Sequence, residues 1–314
     1  MVQQINLFLT KYKKMIKIGI IGVGYFGEIH LINLLKLNNK FDVIGIYDTD
    51  KERSIEIASK YQVKNFNSVE LLINNSEAVD ITCSTKNHFD VIKNCIEKNK
   101  HIFIEKPLSD NIKKTKEIVK LCENYKPIIQ IGFIERFNDS FVNLLKLNFK
   151  INDIHAIRTG AISERNKNSC IIHDMMIHDI DIINCLIKSS INKISINKES
   201  TKDKVMCQIT YNNNCTANIT SERSKIITKN KSKRKIIINT LDQQKISLDL
   251  LNKKIFINEI EQEQKNENTN ALVNELIYFY ECINNKKTNN ISIKSAYSAE
   301  LISDQIKKKL NEIS

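Results

Sequence analysis

Three glycines, Gly22, Gly24 and Gly27, stand between the apolar run 16–21 and a helical pattern over 28–37. A G-x-G-x-x-G string at a strand-to-helix junction narrows the possible folds sharply. The first glycine permits a tight turn and the second lets backbone N–H groups approach a pyrophosphate. The third lets the helix pack closely, with its positive end facing the phosphates. Asp48 ends the second strand pattern about 20 residues further on, where a carboxylate accepts hydrogen bonds from an adenine ribose. That acid repels the additional phosphate of NADP and so favours NAD, while the neighbouring Lys51 and Arg53 leave NADP open. Tyr25, Phe26 and Arg53 join the cofactor-binding residues expected around the turn. The competing reading is a glycine turn with no nucleotide.

From residue 16 onward, short β-branched runs alternate with amphipathic helical stretches, which predicts a parallel sheet with helices on both faces. Strands are expected at 16–21, 41–47, 78–84, 101–106 and 127–133, with helices between them. Past about residue 152 the texture changes to successive strand-like runs separated by Asn, Asp and Lys turns, which predicts an antiparallel sheet. A helix over 173–188 interrupts that series, and helices over 269–284 and 294–310 close the chain. The expected fold class is α/β: an N-terminal Rossmann doubly wound parallel sheet plus a C-terminal α+β domain with an open antiparallel sheet. Residues 1–14 are expected to be a disordered leader and 15–135 a dinucleotide-binding Rossmann domain. Residues 136–293 would form an α+β substrate and oligomerisation domain, and 294–314 a C-terminal helix packing back on the N-terminal domain.

Composition excludes several classes. Hydrophobic residues at 41% and charged residues at 27% are ordinary for a globular chain and argue against disorder. No apolar run approaches the roughly 20 residues of a membrane span, and the first residues carry too short an apolar stretch for a signal peptide. The expected setting is cytoplasmic, without a membrane partner. The 8 cysteines are scattered singly, without a CxxC pair, as buried reduced thiols would be. A net charge of +12 invites a nucleic-acid reading, but the excess of Asn, Ile and Lys looks like drift in codon usage, which spreads lysine without a binding purpose. Only 225–235 approaches a basic patch. Flanked by strand patterns, it reads as a solvated hairpin turn, with a phosphate or nucleic-acid site as the alternative, and no nucleic-acid partner is expected.

Two further constellations carry chemistry. Glu105-Lys106-Pro107 falls at the carboxyl end of an expected strand of the first sheet, where doubly wound folds hold their ligands. Pro107 is one of only 2 prolines, which marks a sharp bend and makes the Lys106–Pro107 bond a candidate for the cis form. The alternative is a surface turn with a solvated lysine. In the second domain, Asp174 and His178 lie four apart and so share a helix face. An imidazole titrating near neutrality suits proton removal from an alcohol, with a carboxylate one turn away to orient it or bind substrate. Cys170, His173, Asp174 and His178 also raise a metal site, but their spacing matches no zinc pattern, and no metal is expected. A third reading is an Asp-capped helix with surface histidines.

These features in this order, with Asn87-His88 after strand 78–84, resemble the Gfo/Idh/MocA family of sugar and cyclitol dehydrogenases over nearly all of residues 15–312. The resemblance implies that Lys106 contacts both nicotinamide and substrate, that His178 is the acid/base, and that Asp174 binds the substrate. It also implies that Ser84, Thr85, Asn87, His88 and Glu105 lie along the cofactor, although the family's TP-type motif appears here without its proline. Gly132 to Asn138 and Asp174 to Asp181 look like the branch that includes dehydrogenases of UDP-linked amino sugars, among them enzymes that oxidise the 3-hydroxyl of UDP-N-acetylglucosamine. On that likeness Arg136, Asn138 and Arg165 join Asp174 at the substrate, which would be a small-molecule sugar or nucleotide sugar. The chain departs from the family at Asn168-Ser169-Cys170, where a glycine-rich lead into the helix is usual. The family implies a homodimer or homotetramer formed on the open sheet. Two alternatives stay open: a free-sugar or inositol dehydrogenase, and a non-catalytic NAD-binding regulatory protein. The joint presence of Lys106, Asp174 and His178 speaks against the second.

Overall fold

A computed structural model describes residues 14–164, 166–263 and 270–313. The chain divides into two compact units. One is built from the residues up to Asp110 with Lys114–Gly132 and Leu272–Ser292; the other takes Asn111–Lys113, Phe133–Ala271 and the residues from Ile293 onward. The expected leader at 1–14 lies, apart from Lys14, outside the described residues.

Along the first unit β1 (Ile16–Ile21), α1 (Tyr25–Lys36), β2 (Phe41–Tyr47), α2 (Lys51–Tyr61), α3 (Val69–Asn75), β3 (Ala78–Ile81), α4 (Thr85–Glu97), β4 (His101–Glu105), α5 (Ile112–Leu121) and β5 (Ile129–Gly132) follow one another. The strands pair in parallel in the order β2-β1-β3-β4-β5, the doubly wound sheet expected. Every residue of β3 and β5 is buried, because helices cover both faces of such a sheet. Outside β2 a further strand is reduced to a single parallel bridge between Ile46 and Asn65. The short α3 has no counterpart in the sequence expectation. Ser68 starts it by accepting the Leu71 N–H at 3.2 Å, and Leu72 and Ile73 anchor it in the core.

The second unit opens with a 3-10 turn at Ile134–Phe137, then α6 (Asp139–Leu144) and the long β6 (Ile151–Ala161). A π-helical turn at Ile172–Met176 leads into α7 (Ile177–Leu186). Seven strands follow: β7 (Ile191–Ile196), β8 (Lys204–Tyr211), β9 (Thr216–Ser224), β10 (Lys233–Thr240), β11 (Lys245–Asp249), β12 (Lys254–Ile257) and β13 (Ile260–Glu261). Their order with β6 is β13-β12-β11-β10-β6-β9-β8-β7. Burial alternates residue by residue along β9, so one face of the sheet makes the core. The sheet is the expected antiparallel one except at β6 and β9, which run parallel. β9 and β10 flank β6 on opposite sides, so the basic run 225–235 crosses the end of β6 instead of turning a hairpin.

Two helices close the chain, α8 (Ala271–Ile283) and α9 (Ile293–Ile313). α9 packs on α7 and β7 within the second unit, and α8 belongs to the first. The expectation that 294–314 returns to the N-terminal domain is thus corrected: the returning helix is α8. The reason is aromatic. Phe279 meets Phe103 edge to face at 5.7 Å, Tyr280 meets Phe41 at 5.6 Å, and Gln130 Nε2 donates to the Glu275 carbonyl at 3.0 Å. Among the described residues no helix is long and apolar enough to cross a membrane. Phe279 is fully buried, so Phe279→Ala is expected to cost about 3–5 kcal/mol in urea unfolding, the range for a core phenylalanine. A loss below about 1 kcal/mol would show that α8 does not complete this core.

Candidate active site

The glycine turn has the geometry its residues require. Gly22 sits at φ +94°, and a Cβ there would meet the Cys83 backbone at 2.4 Å. At Gly27 a Cβ would stand 1.9 Å from the Gly22 carbonyl oxygen. Gly24 differs, since a Cβ there would meet nothing within 4 Å among the described residues. Two glycines therefore close the turn, and the third leaves an open cradle at the N-terminus of α1, where backbone N–H groups have no intrahelical acceptor. That cradle fits a dinucleotide pyrophosphate. Thr82 Oγ1 fastens the turn to the end of β3 by donating to the Gly22 carbonyl at 2.6 Å. Asp48 holds the other side: Oδ2 accepts the Val23 N–H at 2.6 Å and Oδ1 the Asp50 N–H at 3.0 Å. Arg53 braces it from below, with Nε donating to the Val23 carbonyl at 3.1 Å and the guanidinium paired with Glu28 at 2.5 Å and Glu56 at 2.9 Å. Hydrogen bonds from Lys60 and Tyr61, helped by Arg53 and opposed by burial, pull the Glu28 carboxyl down to about 2. Tyr25 and Phe26 are exposed and stack edge to face at 5.6 Å.

The neighbouring strand ends carry the remaining expected cofactor residues. Ser84 precedes α4 and its Oγ accepts from Asn87 Nδ2 at 3.1 Å, with Thr85 opening the helix. His88 is buried with its two ring nitrogens 2.9 Å from the Pro107 carbonyl and 3.0 Å from that of Cys83. Burial lowers its pKa, and a neutral ring donates through one nitrogen only. The ring lies between the end of β3 and the turn after β4 and donates to one of these two carbonyls. The Lys106–Pro107 bond is cis, as the sequence suggests, and Lys106 is half-buried at the carboxyl end of β4. Glu105 lies over Gly132, where a Cβ would stand 2.6 Å from its Oε1.

His30 was missing from the sequence expectation. It is buried in α1 with Nδ1 2.9 Å from Asp80 Oδ2 and Nε2 3.4 Å from Glu105 Oε1. Burial opposes its protonation, but the two carboxylates, Asp80 above all, outweigh that and hold its pKa at about 10. A signal existed, since an aspartate inside the apolar strand at 78–81 demands a buried partner.

In the second unit Asp174 lies on the π-helical turn, where the Ile177 N–H reaches back to the Ile172 carbonyl. The expected helix over 173–188 is thus widened at its start, a distortion frequent at functional sites. Asp174 Oδ2 accepts from Ser169 Oγ at 3.1 Å. Ser169 is itself clamped by buried Arg223 of β9, whose Nη1 donates to its Oγ at 2.9 Å and Nη2 to its carbonyl at 2.6 Å. His178 is half-buried in the first turn of α7. The acids beyond it anchor the helix. Arg158 forks onto Asp179 with both bonds at 2.9 Å and reaches Glu135 at 3.0 Å. Arg136 forks onto Asp181 at 2.7 and 2.6 Å. Burial raises the carboxyls of Asp179 and Asp181 even against these arginines, whereas Arg158 and Arg234 overcome burial at Glu135 and lower it.

Arg136 and Asn138, expected at the substrate, engage groups of this interior. Asn138 Nδ2 donates to the Leu250 carbonyl at 2.8 Å, and its Oδ1 accepts from Ser140 Oγ at 2.8 Å. The sequence pattern looks the same whether such an arginine meets a ligand or a buried acid. Arg165 lies outside the described residues. Among the described residues no three His, Cys, Asp or Glu side chains gather as metal ligands.

Residues 16–133 match the model of the oxidoreductase family GFO_IDH_MocA, NAD-binding Rossmann fold. A UDP-N-acetylglucosamine 3-dehydrogenase of Acidithiobacillus ferrooxidans is 26% identical over 160 residues, 51% of this chain and 50% of that one. An inositol 2-dehydrogenase of Salmonella paratyphi B is 32% identical over 134 residues, 41% of this chain and 40% of that one. The chain spans half or less of the length of these curated relatives. The likeness of fold reaches further: a solved structure of the A. ferrooxidans UDP-N-acetylglucosamine 3-dehydrogenase superposes with a TM-score of 0.88 at 22% identity, covering 96% of this chain and 99% of that one. Residues 16–133 therefore form an NAD-binding Rossmann domain. The family match is confined to these residues.

Two outcomes are expected from this geometry. Gly27→Ala drives a methyl group into the Gly22 carbonyl and should abolish NADH binding, read as loss of nucleotide fluorescence enhancement; retained binding would place the cofactor elsewhere. The second concerns pH. A ring whose pKa rises from 6.5 to about 10 on folding stabilises fully below about 6.5, and the contribution is lost as pH climbs toward 10. Denaturation midpoints should therefore fall more between pH 7 and 10 for the wild type than for His30→Gln, and equal falls would show the ring to be uncharged.

Proposed function

We propose that the protein is an NAD(P)-dependent dehydrogenase acting on a CH–OH group of a sugar, with the 3-hydroxyl of UDP-N-acetylglucosamine as its substrate group. The observation that carries this reading is the position of Lys106 at the carboxyl end of β4, in the sheet whose β1 and β3 ends build the glycine cradle. Ligands of doubly wound sheets collect at those ends. An ammonium there favours the negative charge that develops on an alcohol oxygen as its proton leaves. Bound on the cradle, a nicotinamide supplies the hydride acceptor or donor. His178 takes the alcohol proton on a ring nitrogen, and Asp174, steadied by Ser169, accepts a hydrogen bond from a substrate hydroxyl.

NAD is the preferred cofactor. Asp48 already accepts two backbone N–H groups, and Oδ1 also accepts the Thr49 hydroxyl, yet Oδ2 keeps a second lone pair for a ribose hydroxyl. Arg53, the guanidinium best placed in sequence to receive a 2′-phosphate, is engaged by Glu28 and Glu56.

The amino-sugar substrate is supported by the A. ferrooxidans relative, and the S. paratyphi relative supports a second reading, an inositol dehydrogenase. NADH absorbance separates them: it should rise with UDP-N-acetylglucosamine and NAD, and a rise with myo-inositol alone would transfer the assignment. In the same assay Lys106→Ala and His178→Ala should lower kcat by about 10²–10⁴, with NADH binding retained in the histidine variant. Near-normal turnover of either folded variant sinks these roles. NADH binding without turnover on any sugar would make the protein a regulator.

A further inference from the structure

Asp80 stands wholly buried in β3, where a carboxylate is stable only beside a compensating charge. His30 supplies that charge at 2.9 Å through Nδ1, and among the described residues Asp80 Oδ1 has no hydrogen-bond partner of its own. An ion pair of this kind is a poor source of stability, because two apolar side chains of similar volume would fill the space without desolvation. Its geometry points to another use. Phe103 packs edge to face on the imidazole at 5.6 Å, and Nε2 stands at ion-pair distance, 3.4 Å, from Glu105 Oε1. Glu105 is the residue before Lys106, and its carboxylate is confined on the other side by Gly132. The three groups form a line from the buried middle of the sheet to the strand end that carries Lys106.

We propose that His30 is a positioning residue: held by Asp80 through Nδ1, it directs Nε2 at Glu105 and fixes that carboxylate, and the strand end with it, in the orientation that nicotinamide binding at Lys106 requires. The inference rests on the reading of residues 16–133 as the NAD site with Lys106 at its reactive end. The logic is that of an acid orienting an imidazole, in which the partner of one ring nitrogen decides what the other nitrogen offers. Here the oriented group is a second carboxylate, and the cation between the two acids keeps Glu105 from turning away from its neighbour.

Amide isosteres test this, because asparagine places its amide near the position of Nδ1 and glutamine near that of Nε2. His30→Gln keeps a donor toward Glu105 and loses Asp80, and His30→Asn does the reverse. Titration of NADH fluorescence should show Kd raised about tenfold in His30→Asn and within about threefold of wild type in His30→Gln, the difference being one charge-assisted contact to Glu105. Glu105→Gln alone should reproduce the tenfold loss, and adding His30→Asn to it should change Kd no further. A merely structural histidine would give the opposite order, with His30→Asn the closer to wild type and Kd following the thermal midpoint. That order overturns the proposal, as does an unchanged Kd in Glu105→Gln, which stays informative if the His30 variants fail to fold. Failure of the wild-type protein to bind NADH overturns the NAD reading itself, so the two failures are distinguishable.

Discussion

At the start of α1 the Gly22 carbonyl oxygen occupies the place where a side chain of residue 27 would have to be. The contact brings the helix against the strand turn more closely than any side chain allows, and much of the first unit follows from it. With the helix seated so near, its N-terminal N–H groups lie beside the open position at Gly24, and the end of β3 can close on the turn through Thr82 and Cys83. His30 sits one turn further along α1, so the same seating carries its ring to Asp80 and Glu105. The nucleotide cradle and the groups behind Lys106 are thus consequences of one backbone approach.

Buried charge is handled by one rule in both units. An acid next to a proposed reacting residue is held by a base from a different element: Glu105 by His30 of α1, Asp179 by Arg158 of β6, and Asp181 by Arg136 of the 3-10 turn. Each pair costs desolvation, and each joins two elements that apolar packing alone would leave free to slide. The residues flanking Lys106 and His178 are therefore fixed by directional bonds.

Features encoded within a short window were legible in the sequence. The glycine turn, the parallel strands, Asp48 and the bend at Lys106-Pro107 need only local spacing, and the structure shows them where the pattern put them. Features decided by a distant partner were not. Nothing in the run 216–224 says that β9 lies parallel to β6, and an apolar helix face does not name its sheet, which is why α8 and α9 were exchanged. The partners of Arg136 and Asn138 were hidden for the same reason, because the acid and the carbonyl that engage them lie 45 and 112 residues away. His30 is intermediate: Asp80 in an apolar strand announced a buried base without identifying it.

The loop before the π-helical turn shows how a site can be kept when its usual sequence is replaced. The family resemblance read in the sequence implies a glycine-rich lead into this helix. Here Asn168, Ser169 and Cys170 stand in that lead, and a side chain from the sheet takes over the task. The Arg223 guanidinium, oriented by Asp203 at 2.8 Å, gathers the carbonyls of Asn166 at 2.5 Å and Ser169 at 2.6 Å. The serine hydroxyl accepts from Arg223, and its one hydrogen is shared between the Asn166 carbonyl at 2.8 Å and Asp174 at 3.1 Å. Through Ser169 the surroundings of Asp174 thus depend on a residue of β9.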